Sequence, residues 1–324
     1  MRTLLALSRE PDTAALGRMV LGQNEGCELE TAADGFSALI ALIRTSYDLV
    51  ILDTALPVLP GLELLRYLRM VGRERPVVLA GYRPTFAQAR QGILGKAEDF
   101  LTLPVSDTDR YDLTFNKNTV PDRVDGNRTL EMAPRIFDTV AERLKESGEA
   151  EAGQCAKLGL LYHTYITYAF SYFPWLKNYL KPEAWYFQTV PRKLETYRVR
   201  LGELVDTIRR LYPNTDDPLL REVLQYLLTH IDRPLRQKDV AAQFFISPSS
   251  LSLLFTEHSD LVYNNYIFEL KLLRAVYLLR FTDMRVQDIS ALLGYRDSGY
   301  FSKKFKRAFH VTPSEYRSTN GNCP

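Results

Sequence analysis

VQDISALLGYRDSGYFSKKFKRAFHVTPSEYR, residues 286–317, carries the clearest local signals in the chain. Apolar residues at 286, 289, 292 and 293 predict a short amphipathic helix. Gly294 follows, and glycine enters a left-handed turn at no steric cost. Asp297 or Ser298 is placed to cap a second helix running to about Phe309. That helix gathers Phe301, Phe305 and the Ala308/Phe309 pair on one face. Ser298, Gly299, Ser302, Lys303, Lys304, Lys306 and Arg307 are left outward or on the flanks. Thr312-Pro313-Ser314-Glu315 reads as a capping box with proline in the first turn, opening a last short helix. Small residues at the start of a helix let it approach base edges, and cations toward its end neutralise phosphates, the arrangement that major-groove reading requires.

These residues resemble the second helix-turn-helix of AraC-type transcription regulators. Gly294-Tyr295, Asp297, Tyr300-Phe301, Lys303, Phe305-Lys306 and Thr312-Pro313…Tyr316-Arg317 stand at that pattern's spacing; His310 stands where the family carries glycine. Upstream, Ser247, Leu251 and Phe255 in SPSSLSLLFTEH are similar to the family's first helix-turn-helix, and a long apolar helix from Tyr263 to Phe281 is expected to join the two. At about 1.5 Å per residue such a helix holds two readers nearly one DNA turn apart. The resemblance covers roughly residues 219 to 318. It implies base contacts from Ser249, Ser252 and Leu253 in the first reader and from Ser298, Gly299, Ser302 and Lys303 in the second, with Lys304, Lys306 and Arg307 beside them. The first reader departs from the pattern. Phe245 occupies a turn position that wants a positive φ, Leu253 replaces a cation, and residues 239–262 hold three acids with no Lys or Arg. Residues 296–310 hold five cations against Asp297, so phosphate attraction favours the second reader.

The N-terminal hundred residues alternate between strand and helix. Strands are expected at 3–7, 28–32, 49–52, 77–80 and 99–103, with helices at 11–21, 35–45, 61–71 and 86–94. That order predicts an α/β doubly wound, five-stranded parallel sheet whose functional end is the carboxyl end of its strands, where Asp53 lies. YDLVILDTALPVLPGLELLRYLR and DFLTLPV are similar to response-regulator receiver domains, which makes Asp53 the phosphoacceptor position. The family's acidic pair is here Ser8 and Arg9, the hydroxyl ending the fourth strand is Ala80, and the lysine of the fifth is Leu103. Phosphoryl transfer to a carboxylate needs a divalent cation to neutralise charge on both partners. A degenerate receiver is therefore expected, with Asp53 not functioning in orthodox phosphotransfer. Arg9 either pairs with Asp53 in place of the cation or points to solvent.

Residues 106–128 read as a polar connector with Pro121 and Gly126 as breakers. Beyond it the chain turns helical and aromatic. Tyr162, Tyr165, Ile166, Ala169 and Phe173 fall on one stripe that suits core, a dimer seam or a small effector, and a charged amphipathic helix is expected from Arg192 to Arg210. The expected organisation is multidomain: a receiver-like domain over 1–118, an α-helical middle region over 119–217 serving as linker, dimerisation or sensory segment, and over 218–324 an all-α domain with two helix-turn-helix motifs.

Composition bounds the rest. The 324 residues are 46% hydrophobic and 25% charged, ordinary for globular protein, and the net charge of +2 means that any DNA-binding surface is local. Cys27, Cys155 and Cys323 are too scattered for a disulfide framework or a zinc site. No glycine-rich nucleotide loop, nucleophile elbow or ligand cluster suggests an enzyme, a metal or a cofactor. No apolar run reaches membrane-spanning length. The expectation is a cytoplasmic, homodimeric regulator that binds double-stranded DNA and acts on RNA polymerase, with a histidine kinase or other protein as a further partner through the receiver.

Overall fold

The structure, a computed structural model, describes residues 1–71, 75–104, 126–148, 150–187, 191, 194–213, 215, 217–259 and 261–320. Two compact units emerge, one of Met1–Ala169 with Gln188–Gly202 and the other of Phe170–Phe187 with Glu203–Pro324.

In the first unit five parallel strands, β1 (Arg2–Ala6), β2 (Glu28–Ala32), β3 (Leu49–Asp53), β4 (Val77–Tyr82) and β5 (Asp99–Leu103), lie in the order β2-β1-β3-β4-β5. Helices α1 (Glu10–Gln23), α2 (Gly35–Arg44), α3 (Gly61–Met70) and α4 (Phe86–Leu94) alternate with them, so the doubly wound sheet expected from the sequence is present. β3 is buried along its whole length, as a central strand covered on both faces must be. Leu5, Leu49, Ile51, Val78, Leu101 and Leu103 join Leu16 and Val20 of α1 in a core with almost no solvent contact. Local signals start the helices: Asp34 accepts a hydrogen bond from the Ser37 amide at 2.7 Å, and Thr85 with Gln88 forms a capping box. The strand order reverses direction at β1, which places the ends of β1 and β3 side by side.

The connector is shorter than expected at its far end. Residues 106–125 lie outside the described residues, but Gly126 opens helix α5 (Gly126–Glu131) instead of breaking structure. α6 (Ala133–Glu146), α7 (Glu151–Tyr172) and α8 (Leu194–Leu211) follow. The tyrosine stripe of α7 is core: Tyr162, Tyr165 and Ile166 are fully buried, and Tyr162 and Phe137 each pack against the Tyr197 ring, at 5.4 and 5.7 Å. α8 buries Tyr197, Leu201, Leu204, Val205 and Ile208, the face its spacing predicts.

The second unit contains two short 3-10 segments, Pro174–Asn178 and Pro182–Trp185, then α9 (Pro218–Thr229), α10 (Gln237–Gln243), α11 (Pro248–Ser259), α12 (Tyr263–Phe281), α13 (Val286–Leu292), α14 (Ser298–Phe309) and α15 (Pro313–Asn320). α10–α11 and α13–α14 are the two helix-turn-helix pairs, with α12 between them. Arg274 of α12 grips Asp232 through both guanidinium edges, at 2.9 and 2.7 Å, and donates to the Asn178 carbonyl at 2.7 Å. That fork fixes α12 against two other segments at once. Around the second pair, Leu272, Ala275, Leu278 and Leu279 of α12 pack with Ile289, Leu293, Phe301 and Phe305 in a separate small core.

Candidate nucleic-acid interface and receiver site

The second reader forms as its residue types dictate. Asp297 caps α14, accepting from the Gly299 and Tyr300 amides at 2.9 and 3.1 Å; Ser298 is the first helical residue. The turn before it passes through Gly294 at φ +77°. Phe301 and Phe305 are wholly buried, while Ala308 faces solvent instead of sharing their face. Burial of the two rings turns the opposite surface outward: Gly299, Lys303 and Lys306, three and four residues apart, are exposed, with Arg307 beside them. Lys304 bends back over the Phe268 and Tyr300 rings, at 5.3 and 5.6 Å, and is half-buried. Ser298 and Ser302 are also half-buried, and the Ser302 hydroxyl donates to the Ser298 carbonyl at 2.9 Å.

α14 ends at His310 in the left-handed region, φ +63°, which is the physical reason a glycine suits that position. The following capping box is complete: the Glu315 amide donates to Thr312 Oγ1 at 3.2 Å, and the Thr312 amide to the Glu315 carboxylate at 2.7 Å. Those bonds from Thr312 hold the Glu315 carboxyl below its ordinary value. Arg317 reaches back to the Leu279 carbonyl, tying α15 to α12.

The first reader has the same shape without the charge. Ser247 caps α11, accepting from the Ser250 amide at 3.0 Å. Phe245 takes the positive φ expected of its turn, +56°, and its ring is 98% exposed. Ser249, Ser252 and Leu253 all face solvent. Ser252 accepts a hydrogen bond from Gln237 at 2.5 Å, and Gln237 also donates to the Pro248 carbonyl, a clasp between α10 and α11 with no signature in the sequence.

At the carboxyl ends of β1 and β3, Asp53 is 1% exposed. Its Oδ2 accepts from the Ser8 hydroxyl at 2.5 Å and the Ser8 amide at 3.3 Å; its Oδ1 accepts from the Ala55 amide at 2.8 Å. Arg9 does not pair with Asp53; its side chain is exposed to solvent. Its guanidinium lies 4.3 Å over the Tyr82 ring, and the Tyr82 hydroxyl donates to Asp12. That hydrogen bond to Asp12 raises the Tyr82 phenol above its ordinary value. β4 runs two residues past Ala80, which pairs in register with Asp53; neither Ala80 nor Gly81 carries a hydroxyl. A side chain on Gly81 would come within 2.6 Å of Thr54 Oγ1, so the space is already taken. Leu103 is buried at the end of β5. The divalent cation that such a fold implies does not fit: Ser8 offers it a neutral oxygen and Arg9 a like charge, leaving Asp53 without an acidic partner at these positions. No group of three or more His, Cys, Asp or Glu side chains suited to a metal occurs among the described residues.

Fold and site thus define a chain that joins a receiver-type α/β fold to a two-headed helix-turn-helix unit. Comparison with known families agrees. Residues 9–113 match the response regulator receiver domain and residues 240–319 a helix-turn-helix domain, so the chain carries a response-regulator receiver domain and an AraC-type helix-turn-helix domain. Among similar proteins is the HTH-type transcriptional activator RhaR of Pectobacterium carotovorum, 36% identical over 108 residues, which are 32% of this chain and 38% of that protein. The regulatory protein PocR of Salmonella typhimurium is 30% identical over 105 residues, 32% and 35% of the two chains. The match spans about a third of each relative. Similar solved structures include the C-terminal domain of AraT, a response regulator from Geobacillus stearothermophilus, 29% identical, covering 32% of this chain and 86% of that one with a TM-score of 0.30. The Francisella response regulator 1452 receiver domain is 25% identical, covering 32% and 85%, with a TM-score of 0.28. Among the described residues no helix is long and apolar enough to cross a membrane.

Proposed function

We propose that the protein is a cytoplasmic, sequence-specific DNA-binding transcription regulator whose receiver is not switched by orthodox aspartyl phosphorylation. The observation that carries the DNA reading is the outward face of α14, with Gly299, Lys303 and Lys306 in line and Arg307 adjacent, opposite a buried Phe301–Phe305 face. Lys303 reads a base edge, while Lys306 and Arg307 neutralise backbone phosphates. Ser249, Ser252 and Leu253 offer hydroxyls and a methyl contact, so the first reader adds specificity with little phosphate attraction. The name of one relative, a transcriptional activator, supports transcription regulation as the outcome; action on RNA polymerase at promoters belongs to the proposal.

Asp53 supports the second half of the reading. Amide and hydroxyl donors orient its carboxylate but supply none of the positive charge that stabilises a transferring phosphoryl group. The receiver then serves in assembly or docking. Phe86, Ile93 and Leu94 on α4 are 86, 76 and 73% exposed, an apolar face that supports a homodimer. An orthodox response regulator, phosphorylated on Asp53 by a histidine kinase, is the competing reading.

Selection of bound sequences from a random duplex pool by the full-length chain tests the DNA reading. It predicts enrichment of a site with two conserved segments about one helical turn apart, the stronger under α14. A pool recovered without enrichment contradicts it.

A further inference from the structure

In the second unit, a cavity of about 510 Å³ opens between the start of α10, the α13–α14 turn and the side of α12. That volume lies in the range of small-molecule sites. Arg236, Lys271 and Arg296 line it, one cation from each of these three segments, and none of the three has an ion-pair partner among the described residues. Asp297 is the acid in the lining, and its two carboxylate oxygens are engaged in capping α14. Lys271 is half-buried; its amine lies 5.3 Å from the Tyr295 ring centre, close to Gly294. Burial lowers its pKa, the sign of an ammonium that lacks a counter-charge. Tyr295 and Tyr300 flank the opening with their ring centres 6.4 Å apart, and Pro234 and Leu235 supply an apolar wall.

Three unpaired cations from three separate segments, with aromatic and apolar surface between them, are the chemistry of an oxyanion site. We propose that this cavity binds a carboxylate or phosphate group, and that its occupant is coupled to DNA binding because Arg296, Asp297 and Tyr300 form the entry to α14. The anion comes either from a free small organic acid or phosphate compound, or from a phosphate of the DNA backbone itself. Binding of the free anion is read without DNA, so its outcome is independent of the DNA-binding reading above.

The test is calorimetric titration of the full-length chain with inorganic phosphate and, separately, benzoate at constant chloride, for wild type, Lys271→Met and Arg236→Gln. Arg236 is exposed, so its variant folds even where Lys271→Met does not. Lys145→Met, far from the cavity in sequence and exposed, is the control. A second arm measures DNA affinity against salt for the same variants. Saturable binding to wild type that weakens about tenfold or more in the Arg236 and Lys271 variants, and is unchanged in Lys145→Met, assigns the site to a free anion. No free-anion binding, but a salt slope lowered by about one in the Arg236 and Lys271 variants alone, assigns it to the DNA backbone. No saturable binding and unchanged salt slopes overturn the proposal, as does binding that Arg236→Gln leaves intact.

Discussion

At Asp53 three donors surround a buried carboxylate, and the strongest of them comes from a residue standing where the family's cation ligands belong. Ser8→Ala removes the hydroxyl while leaving the two amides, so the receiver is expected to lose about 1–2 kcal/mol, seen as a lower urea midpoint at unchanged slope. An unmoved midpoint means the Ser8 hydroxyl does not hold Asp53. His310 presents the opposite case, a side chain that is exposed and sits at φ +63°. His310→Gly is expected to raise stability by about 0.5–1 kcal/mol and His310→Val to lower it, both by thermal melting. Glu315 titrates below its ordinary 4.5 because Thr312 donates to the charged form. Its contribution to the α15 cap is complete above that ordinary value and is lost as pH falls through the lowered one. A carboxyl carbon NMR titration that places Glu315 at or above 4.5 contradicts the cap.

In the proposed reading α14 is the element that recognises DNA, and its residues divide by the contacts proposed for them. Lys303→Ala is expected to weaken DNA binding and relax preference at one base position. Lys306→Ala is expected to weaken all sequences alike and flatten the salt dependence by about one unit. Equal salt slopes for wild type and Lys306→Ala contradict the phosphate role. Lys304 is a milder case, since its amine already rests on two rings. Most elements were legible in the sequence for identifiable reasons. Caps with distinct chemistry, Asp297 and Thr312, mark helix starts. What periodicity does not report is a partner far along the chain: Arg9 meets Tyr82, Gln237 meets Ser252 and Arg274 meets Asn178. The cavity around Lys271 was invisible for the same reason: its three cations are 25 or more residues apart.

Across the whole molecule, charge is placed where it acts. A net charge of +2 conceals a basic α14 and an acidic stretch around α11, so attraction to phosphate is local to one reader. The aromatic stripe of α7, a candidate effector lining from its sequence alone, is packed core in which the Tyr162 and Phe137 rings meet Tyr197. If a small molecule acts on this protein, the Lys271 cavity in the DNA-binding unit is the better address. The receiver keeps its sheet, its strand order and its aspartate, while the residues that would hold a cation are replaced. Intact mass of the full chain after incubation with magnesium and a small-molecule phosphodonor, with Asp53→Asn alongside, tests this most directly. The account predicts no added phosphoryl mass on either protein; a phosphoryl adduct on the wild type that disappears in Asp53→Asn would contradict it.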